Sequence, residues 1–171
     1  MQMKPEMIGM SRVLIIGGGA AGMFAAVTAA RNGQEVFLFE KNEKLGKKLF
    51  ITGKGRCNIR NACDMETLFS SVIRNSRFLY SSFYGYTNQD VIDFFEELGV
   101  KTKTERGGRV FPESDHSSDV IRALEQELKR LGVRVFLNTR VEKIITQNGM
   151  FSEAEIVNER AGGKKRVKGD A

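Results

Sequence analysis

Three glycines and one acid stand in this sequence at the spacing that a dinucleotide pyrophosphate and its ribose require. Gly17-Gly18-Gly19-Ala20-Ala21-Gly22 satisfies the pattern G-x-G-x-x-G, and Glu40 follows about twenty residues further on. Each position has a physical task. Gly17 permits a tight turn, Gly19 lets the backbone approach a phosphate without a Cβ, and Gly22 lets a helix pack close to a strand. A helix opening at Ala20 and Ala21 would offer unpaired N–H groups and the positive end of its dipole to the phosphates. Glu40 can accept hydrogen bonds from both ribose hydroxyls. Its charge would repel a 2′-phosphate, so NADP is disfavoured at this position.

Such a fingerprint carries weight only between a strand and a helix. Arg12–Ile16 is a short, nearly all-apolar run, which predicts a parallel strand buried on both faces. Ala20–Asn32 is Ala-rich and free of Pro, and Gly33 sits where a helix C-cap wants a left-handed residue. Gln34–Glu40 reads as a second buried strand. The three make a right-handed βαβ unit. The competing reading, a Gly-rich turn in an α/β protein that binds no nucleotide, has to explain why strand, helix and acid all agree.

After Glu40 a NAD-binding domain would continue with another helix. Lys41–Asn61 is instead rich in Gly, Lys and Asn without a clean period, and reads as a long irregular loop. Such a loop could run along an extended cofactor and offer it N–H groups, which favours FAD over NAD; a plain surface loop is the alternative.

At this point the sequence resembles a known family. Gly46-Lys47-Lys48-Leu49, followed by Thr52-Gly53-Lys54-Gly55-Arg56-Cys57-Asn58, is similar to the BaiN-like flavoproteins, the aminoacetone oxidase-like FAD-binding enzymes. Gly108-Arg109-Val110-Phe111-Pro112 with Ser114-Asp115 resembles their second block. The likeness runs from Arg12 onward. It implies an α/β fold: a Rossmann-like FAD-binding domain of glutathione-reductase type, with a parallel sheet, helices and a β-meander. It also implies FAD held by Gly17, Gly19, Ala20, Ala21, Gly22, Glu40, Lys41, Gly46 and Lys48. The turn Gly53, Gly55, Arg56, Cys57 and Asn58 joins them, as does the backbone of Val141 at the adenine. Two departures stand out. Arg60-Asn61 replaces the usual Thr-Asn, and family members are much longer. Residues 1–10 are therefore expected to be an extension. Residues 11–171 are expected to form a C-terminally truncated FAD-binding domain, without the substrate domain and the last flavin-binding segment.

The remaining chain predicts alternating helices and strands. Asp64 is a candidate N-cap for helical pattern over Met65–Tyr84 with a break near Asn75. Thr87 with Asp90 resembles a capping box, opening a helix with Val91, Phe94, Phe95 and Leu98 on one face. Val100–Glu105 and Arg109–Phe111 suggest a hairpin around Gly107-Gly108. Ser117 or Ser118 would cap a helix through Leu131, before a strand at Val133–Leu137. Val141–Thr146 and Met150–Asn158 flank Asn148-Gly149, a strong hairpin signal, and Lys164–Lys168 starts a further strand.

Other reactive side chains are few. Cys57 is either a redox thiol beside the flavin, paired with Cys63 and activated by Arg56 and Lys54, or a small residue packed in the turn; packing is preferred. His116, the only histidine, reads as a surface residue. One histidine cannot build a Ser-His-Asp triad, and no metal-ligand cluster is visible. The aromatic stretch Phe78, Tyr80, Phe83, Tyr84 and Tyr86 is expected in the core, the minority reading being a wall beside the flavin. Catalytic residues are not legible.

The chain has 171 residues, 41% of them hydrophobic and 28% charged, which suits a packed domain and argues against disorder. Its net charge of +6 is compatible with nucleic acid, an anionic membrane face or a phosphorylated ligand, but an ordinary basic surface suffices. Val13–Ala30 carries no charge yet is interrupted by glycines, so a membrane segment is rejected. Two cysteines without an export signal fit a reducing cytoplasm. These observations favour an FAD-dependent oxidoreductase acting on a small-molecule substrate, with NAD(P)H as electron donor and neither nucleic acid nor membrane as partner. The alternatives are a truncated fragment that at most binds nucleotide, and a flavin-dependent RNA-modifying enzyme that would bind tRNA.

Overall fold

The structure, a computed structural model, describes residues 10–171; most of the expected N-terminal extension lies outside that range. The chain divides into two compact units, one running through Lys47 and resuming at Glu125–Ala171, the other spanning Lys48–Leu124.

The first unit holds the βαβ element. Strand β1 (Arg12–Ile16), helix α1 (Ala20–Arg31) and strand β2 (Glu35–Phe39) follow within a residue of the predicted bounds. Strand β6 (Arg134–Phe136) completes a parallel sheet in the order β1-β2-β6. Register runs from Arg12↔Glu35 to Ile16↔Phe39, and from Phe37↔Arg134 to Phe39↔Phe136.

Central β2 is the core strand: Val36, Phe37, Leu38 and Phe39 are all buried, as are Met23, Ala26 and Val27 of α1. Burying each large side chain contributes about 1.5–3 kcal/mol. Phe39 stacks on Phe136 with centroids 5.0 Å apart. Strand β1 departs from expectation, because its residues are only half-buried and Ile16 is exposed. Its place at one end of the sheet order accounts for this. Ala171 brackets Val13 there in the parallel pattern: Ala171 donates to the Arg12 carbonyl at 3.4 Å, and Leu14 donates to the Ala171 carbonyl at 2.7 Å.

Ion pairs tie the unit's elements together. Glu35 accepts from Arg12 at 2.7 Å and pairs with Arg134 at 3.1 Å, so one β2 carboxylate bridges both neighbouring strands. Glu127, on helix α6 (Ser117–Arg130), is buried between Arg31 of α1 and Arg130.

An antiparallel meander follows: β7 (Thr139–Gln147), β8 (Met150–Asn158) and β9 (Lys164–Lys168). Asn148 and Gly149 both have positive φ, as a two-residue hairpin turn demands. The basic run of β9 is not simply solvated. Lys164 pairs with Glu142 at 2.7 Å and Glu155 at 3.2 Å, and Arg166 reaches Glu153 at 3.9 Å.

In the second unit, β3 (Arg60–Asn61), β5 (Arg109–Pro112) and β4 (Thr102–Glu105) form an antiparallel sheet in the order β3-β5-β4. The segment expected to be an irregular loop is partly ordered: α2 (Lys47–Ile51) and a 3₁₀ turn at Thr52–Gly55 precede β3. Periodicity cannot reveal elements of five residues or fewer.

Asp64 caps α3 (Met65–Ser70) by accepting from the Thr67 N–H at 2.7 Å. Left-handed Asn75 breaks the helical stretch where expected, and a 3₁₀ turn at Ser76–Leu79 leads into α4 (Tyr80–Gly85). The Thr87–Asp90 capping box opens α5 (Asn88–Glu97). Neither serine caps α6 from outside. Ser117 is already its first residue, and its hydroxyl donates to the Phe50 carbonyl at 2.8 Å.

The aromatic stretch also departs from expectation. Phe78, Tyr80, Tyr84 and Tyr86 are exposed rather than buried, and the rings of Phe69, Tyr80 and Tyr84 pack on one another at the surface.

Candidate functional site

In the first unit the chain leaves β1 through Gly17 at φ 101°, a left-handed value that glycine accepts readily. The Gly17 N–H donates to the Phe39 carbonyl at 2.8 Å, which ties the loop to the end of β2. A Cβ at Gly22 would collide with the Gly17 carbonyl, so the third glycine is demanded by close helix–strand approach. A Cβ at Gly19 would meet no atom within 4 Å. The two glycines therefore act differently: one is required by packing, the other faces open space.

Gly19 is the N-cap of α1, and no side chain caps the helix or places an acid in its first turn. The first N–H groups of Ala20, Ala21 and Gly22 precede the first intrahelical donor, Met23, which bonds the Gly19 carbonyl at 2.9 Å. An uncapped N-terminus beside open space suits an anion, and a pyrophosphate fits the residues present.

Glu40 is buried and already engaged. Its Oε2 accepts from the Gly18 N–H at 2.7 Å; its Oε1 accepts from the Asn42 N–H at 2.8 Å and the Asn42 amide at 2.6 Å. A carboxylate offers roughly four acceptor positions, so about one remains for a ribose hydroxyl. Binding both hydroxyls, as the sequence suggests, requires Asn42 to yield.

Sequence reasoning missed two residues here. Gly18 fills the unspecified position of the G-x-G pattern, yet a Cβ there would overlap Leu45 and stand 3.1 Å from the Glu40 Cβ. Asn42 had no signal beyond its place two residues after the acid. Gly46, at φ 65°, donates to the Gly18 carbonyl at 2.8 Å and holds the loop from the other side. Lys41 is exposed.

Val141 lies in β7 opposite Ile156, and the register shifts between Val141 and Lys143, leaving Glu142 as the extra residue of a bulge. The same unit has an open cavity of about 400 Å³ bounded by Leu45, Leu128, Val133, Val135 and Leu137 with Glu125 and Lys129; Val141 is not part of its lining.

The second unit contains the other predicted site residues. Lys48 is exposed on α2. Gly53, Lys54, Gly55 and Cys57 all have positive φ. Two of these are not glycine, so the turn carries backbone strain of about 1 kcal/mol at each. The Cys57 N–H donates to the Thr52 carbonyl at 3.1 Å, and the Arg56 N–H to the Gly53 carbonyl at 3.2 Å. With its amide turned to suit its neighbours, Asn58 donates to the carbonyls of Arg60 at 2.9 Å and Val110 at 3.3 Å.

Arg56 braces the turn. Its guanidinium bonds Asp115 through Nε at 2.8 Å, pairs with Glu105, and lies 4.2 Å from the Phe111 ring centroid. Lys103 joins through Asp115 at 2.6 Å. Donating hydrogen bonds to Glu105 and Asp115 raises the Arg56 pKa; the same cluster lowers both carboxylates.

Arg56 is thus committed to carboxylates and does not activate Cys57. Burial pushes the Cys57 thiol up, against a lowering hydrogen bond from Thr52, which supports the packing role preferred from sequence. Both cysteines are free thiols. His116 is exposed, and no group of residues able to hold a metal ion occurs among the described residues. No helix among them is long and apolar enough to cross a membrane.

The parallel sheet, the glycine loop and the acid after β2 define a Rossmann-type dinucleotide-binding protein. Residues 11–167 match the HI0933-like protein Rossmann domain, and the chain belongs to that family. It is 38% identical over 167 residues to the 3-dehydro-bile acid delta(4,6)-reductase of Clostridium scindens, covering 91% of this chain and 40% of that protein. It is 30% identical over 134 residues to the ribosomal RNA dihydrouridine synthase of Haemophilus influenzae, covering 78% of this chain and 33% of that protein. The chain thus spans about a third to two-fifths of these relatives. Its fold is shared with the 3-ketosteroid-delta4-(5alpha)-dehydrogenase of Rhodococcus jostii, at TM-score 0.68 and 16% identity over 94% of this chain and 44% of that one.

Proposed function

We propose that this chain is the FAD-binding portion of a flavin-dependent oxidoreductase. The observation that carries the proposal is the uncapped start of α1 beside the open space at Gly19, with buried Glu40 fixing the loop from below. Gly17, Gly19, Ala20, Ala21 and Gly22 would receive the pyrophosphate, Glu40 the adenosine ribose, and the backbone at Val141 the adenine. Lys41 and Gly46 flank that set. The preference for FAD over NAD rests on the family and on the Gly- and Lys-rich stretch after Glu40.

Lys48, Gly53, Gly55, Arg56, Cys57 and Asn58 are assigned to the same cofactor by the family resemblance, with Arg56 and Cys57 holding the turn's shape. Bound FAD supplies hydride and electron chemistry; this chain's residues bind and orient it. NAD(P)H is the proposed reductant and a small molecule the proposed substrate. The bile acid reductase supports that substrate class, and the two free thiols support a reducing, cytoplasmic setting.

The test is a visible absorption spectrum of the purified chain with and without added FAD. A flavin spectrum that bleaches on reduction supports the proposal. A folded protein that takes up NAD but not FAD overturns the choice of cofactor. A second reading, flavin-dependent RNA modification, is favoured by the named ribosomal RNA dihydrouridine synthase.

A further inference from the structure

The second unit carries a surface that the cofactor reading does not use. From Thr67 through Gln89 the sequence has no carboxylate, and its only charges are Arg74 and Arg77, both exposed. Ile73 is 95% exposed and Phe78 86%, the highest values among the exposed large apolar side chains of the described residues. Tyr80 and Tyr84 pack at a tilt of 37° with centroids 4.5 Å apart, and each stacks on the Phe69 ring within 6 Å at interplanar angles of 28° and 26°. The rings therefore form a braced platform with its outer side in water. Beside it an open cavity of about 470 Å³ is lined by Asn75, Ser76, Arg77 and Phe78. Left-handed Asn75 turns the chain there and leads into the 3₁₀ turn that carries Phe78.

We propose that this surface binds single-stranded nucleic acid, with an unpaired base against Phe78 and phosphates on Arg74 and Arg77. Exposed rings and two arginines, in a stretch free of acids between Glu66 and Asp90, match both halves of such a ligand, the base face and the phosphodiester. The Asn75 amide and Ser76 hydroxyl offer both donors and acceptors to a base edge. A small apolar ligand fits less well, because it needs enclosure that buries most of its surface, and this cavity is open. A lipid surface fits less well because the helices of this segment are short: α3 and α4 have six residues each. The basic strand β9 is not the site, since Lys164 and Arg166 are paired with acids. The inference reaches beyond the FAD reading and does not depend on it. It also departs from the sequence expectation of no nucleic-acid partner, which rested on the lack of an evident aromatic-basic RNA-binding module.

Fluorescence anisotropy of the full chain with a labelled oligouridylate strand tests it without flavin, so its failure leaves the FAD proposal standing. The strand is expected to bind more tightly than a duplex of equal length. Phe78→Ala is expected to weaken binding about tenfold with an unchanged melting temperature. Arg74→Gln with Arg77→Gln is expected to reduce the salt slope by about 1.4, two phosphate contacts on a single strand. Equal affinity for duplex, or variants that bind as the parent does, would overturn the proposal. So would binding to phosphatidylglycerol vesicles in the absence of RNA binding, which would mark the patch as a membrane contact.

Discussion

Oε2 of Glu40 accepts the Gly18 N–H at 2.7 Å, and this bond joins the phosphate-facing loop to the acid that follows β2. The two halves of the nucleotide fingerprint are therefore one mechanical object. The acid that should face a ribose also sets the shape of the loop that should face the phosphates, with Asn42 holding its other oxygen.

Glu40→Ala removes a charged acceptor from three donors at once. A hydrogen bond to a charged group contributes about 1.5–3 kcal/mol, so a loss of about 2 kcal/mol in urea unfolding is expected even without FAD. Glu40→Gln keeps one acceptor oxygen and should lose less stability while still weakening FAD binding. Equal stability of Glu40→Ala and the parent would show that the loop does not depend on this carboxylate.

Gly19 and Gly22 should separate binding from folding. Gly19→Ala places a methyl in open space, at a helix N-cap where the change costs under about 1 kcal/mol. Its melting temperature should barely move while FAD affinity falls at least about tenfold, because the methyl occupies the approach of the pyrophosphate. Gly22→Ala drives a Cβ into the Gly17 carbonyl and should lower stability by about 3 kcal/mol before any ligand is added. Thermal melts beside FAD titrations of both variants distinguish the effects.

How far the sequence disclosed this arrangement follows from the range of each interaction. Strand, loop and helix over residues 12–31 were legible because their signals are local: an apolar run, three spaced glycines, an Ala-rich segment. The Asp64 cap, the Thr87–Asp90 box and the Asn148-Gly149 turn were legible for the same reason. The half-burial of β1 was not, since a five-residue apolar run looks alike at the edge or centre of a sheet. The engagement of Glu40 by Gly18 and Asn42 was also hidden, because it appears only once β2 lies beside β1. Cys57 shows the same limit in reverse. Lys54 and Arg56 beside it suggest thiolate activation, but Arg56 is taken by Glu105 and Asp115, which lie far along the chain.

Thiol chemistry should follow burial. Cys57 is 1% exposed, and burial raises its pKa, whereas Cys63 is half-buried and more accessible. An aromatic disulfide reagent should therefore label one thiol quickly in the native chain, with the Cys63→Ser variant losing that phase. The second thiol should react only on unfolding. Fast labelling at Cys57 would return it to the list of redox candidates.

Glu127 predicts the acid limb of the stability profile. Hydrogen bonds from Arg130, then from Arg31, outweigh the opposing effect of burial and lower its pKa from 4.5 to about 2. A carboxylate with a depressed folded-state pKa contributes stability that is fully present above its unfolded value and lost as pH falls through the folded one. Glu127→Gln should therefore cost about 2 kcal/mol at pH 7 and progressively less between about pH 4.5 and 2, until parent and variant converge. Since Arg31 lies on α1 and Arg130 at the C-terminal end of α6, the variant loosens the tie between α1 and that end of α6. Urea unfolding of both chains at pH 7, 4 and 2 measures the difference, and a gap that stays constant across that range would show that Glu127 is not the titrating group.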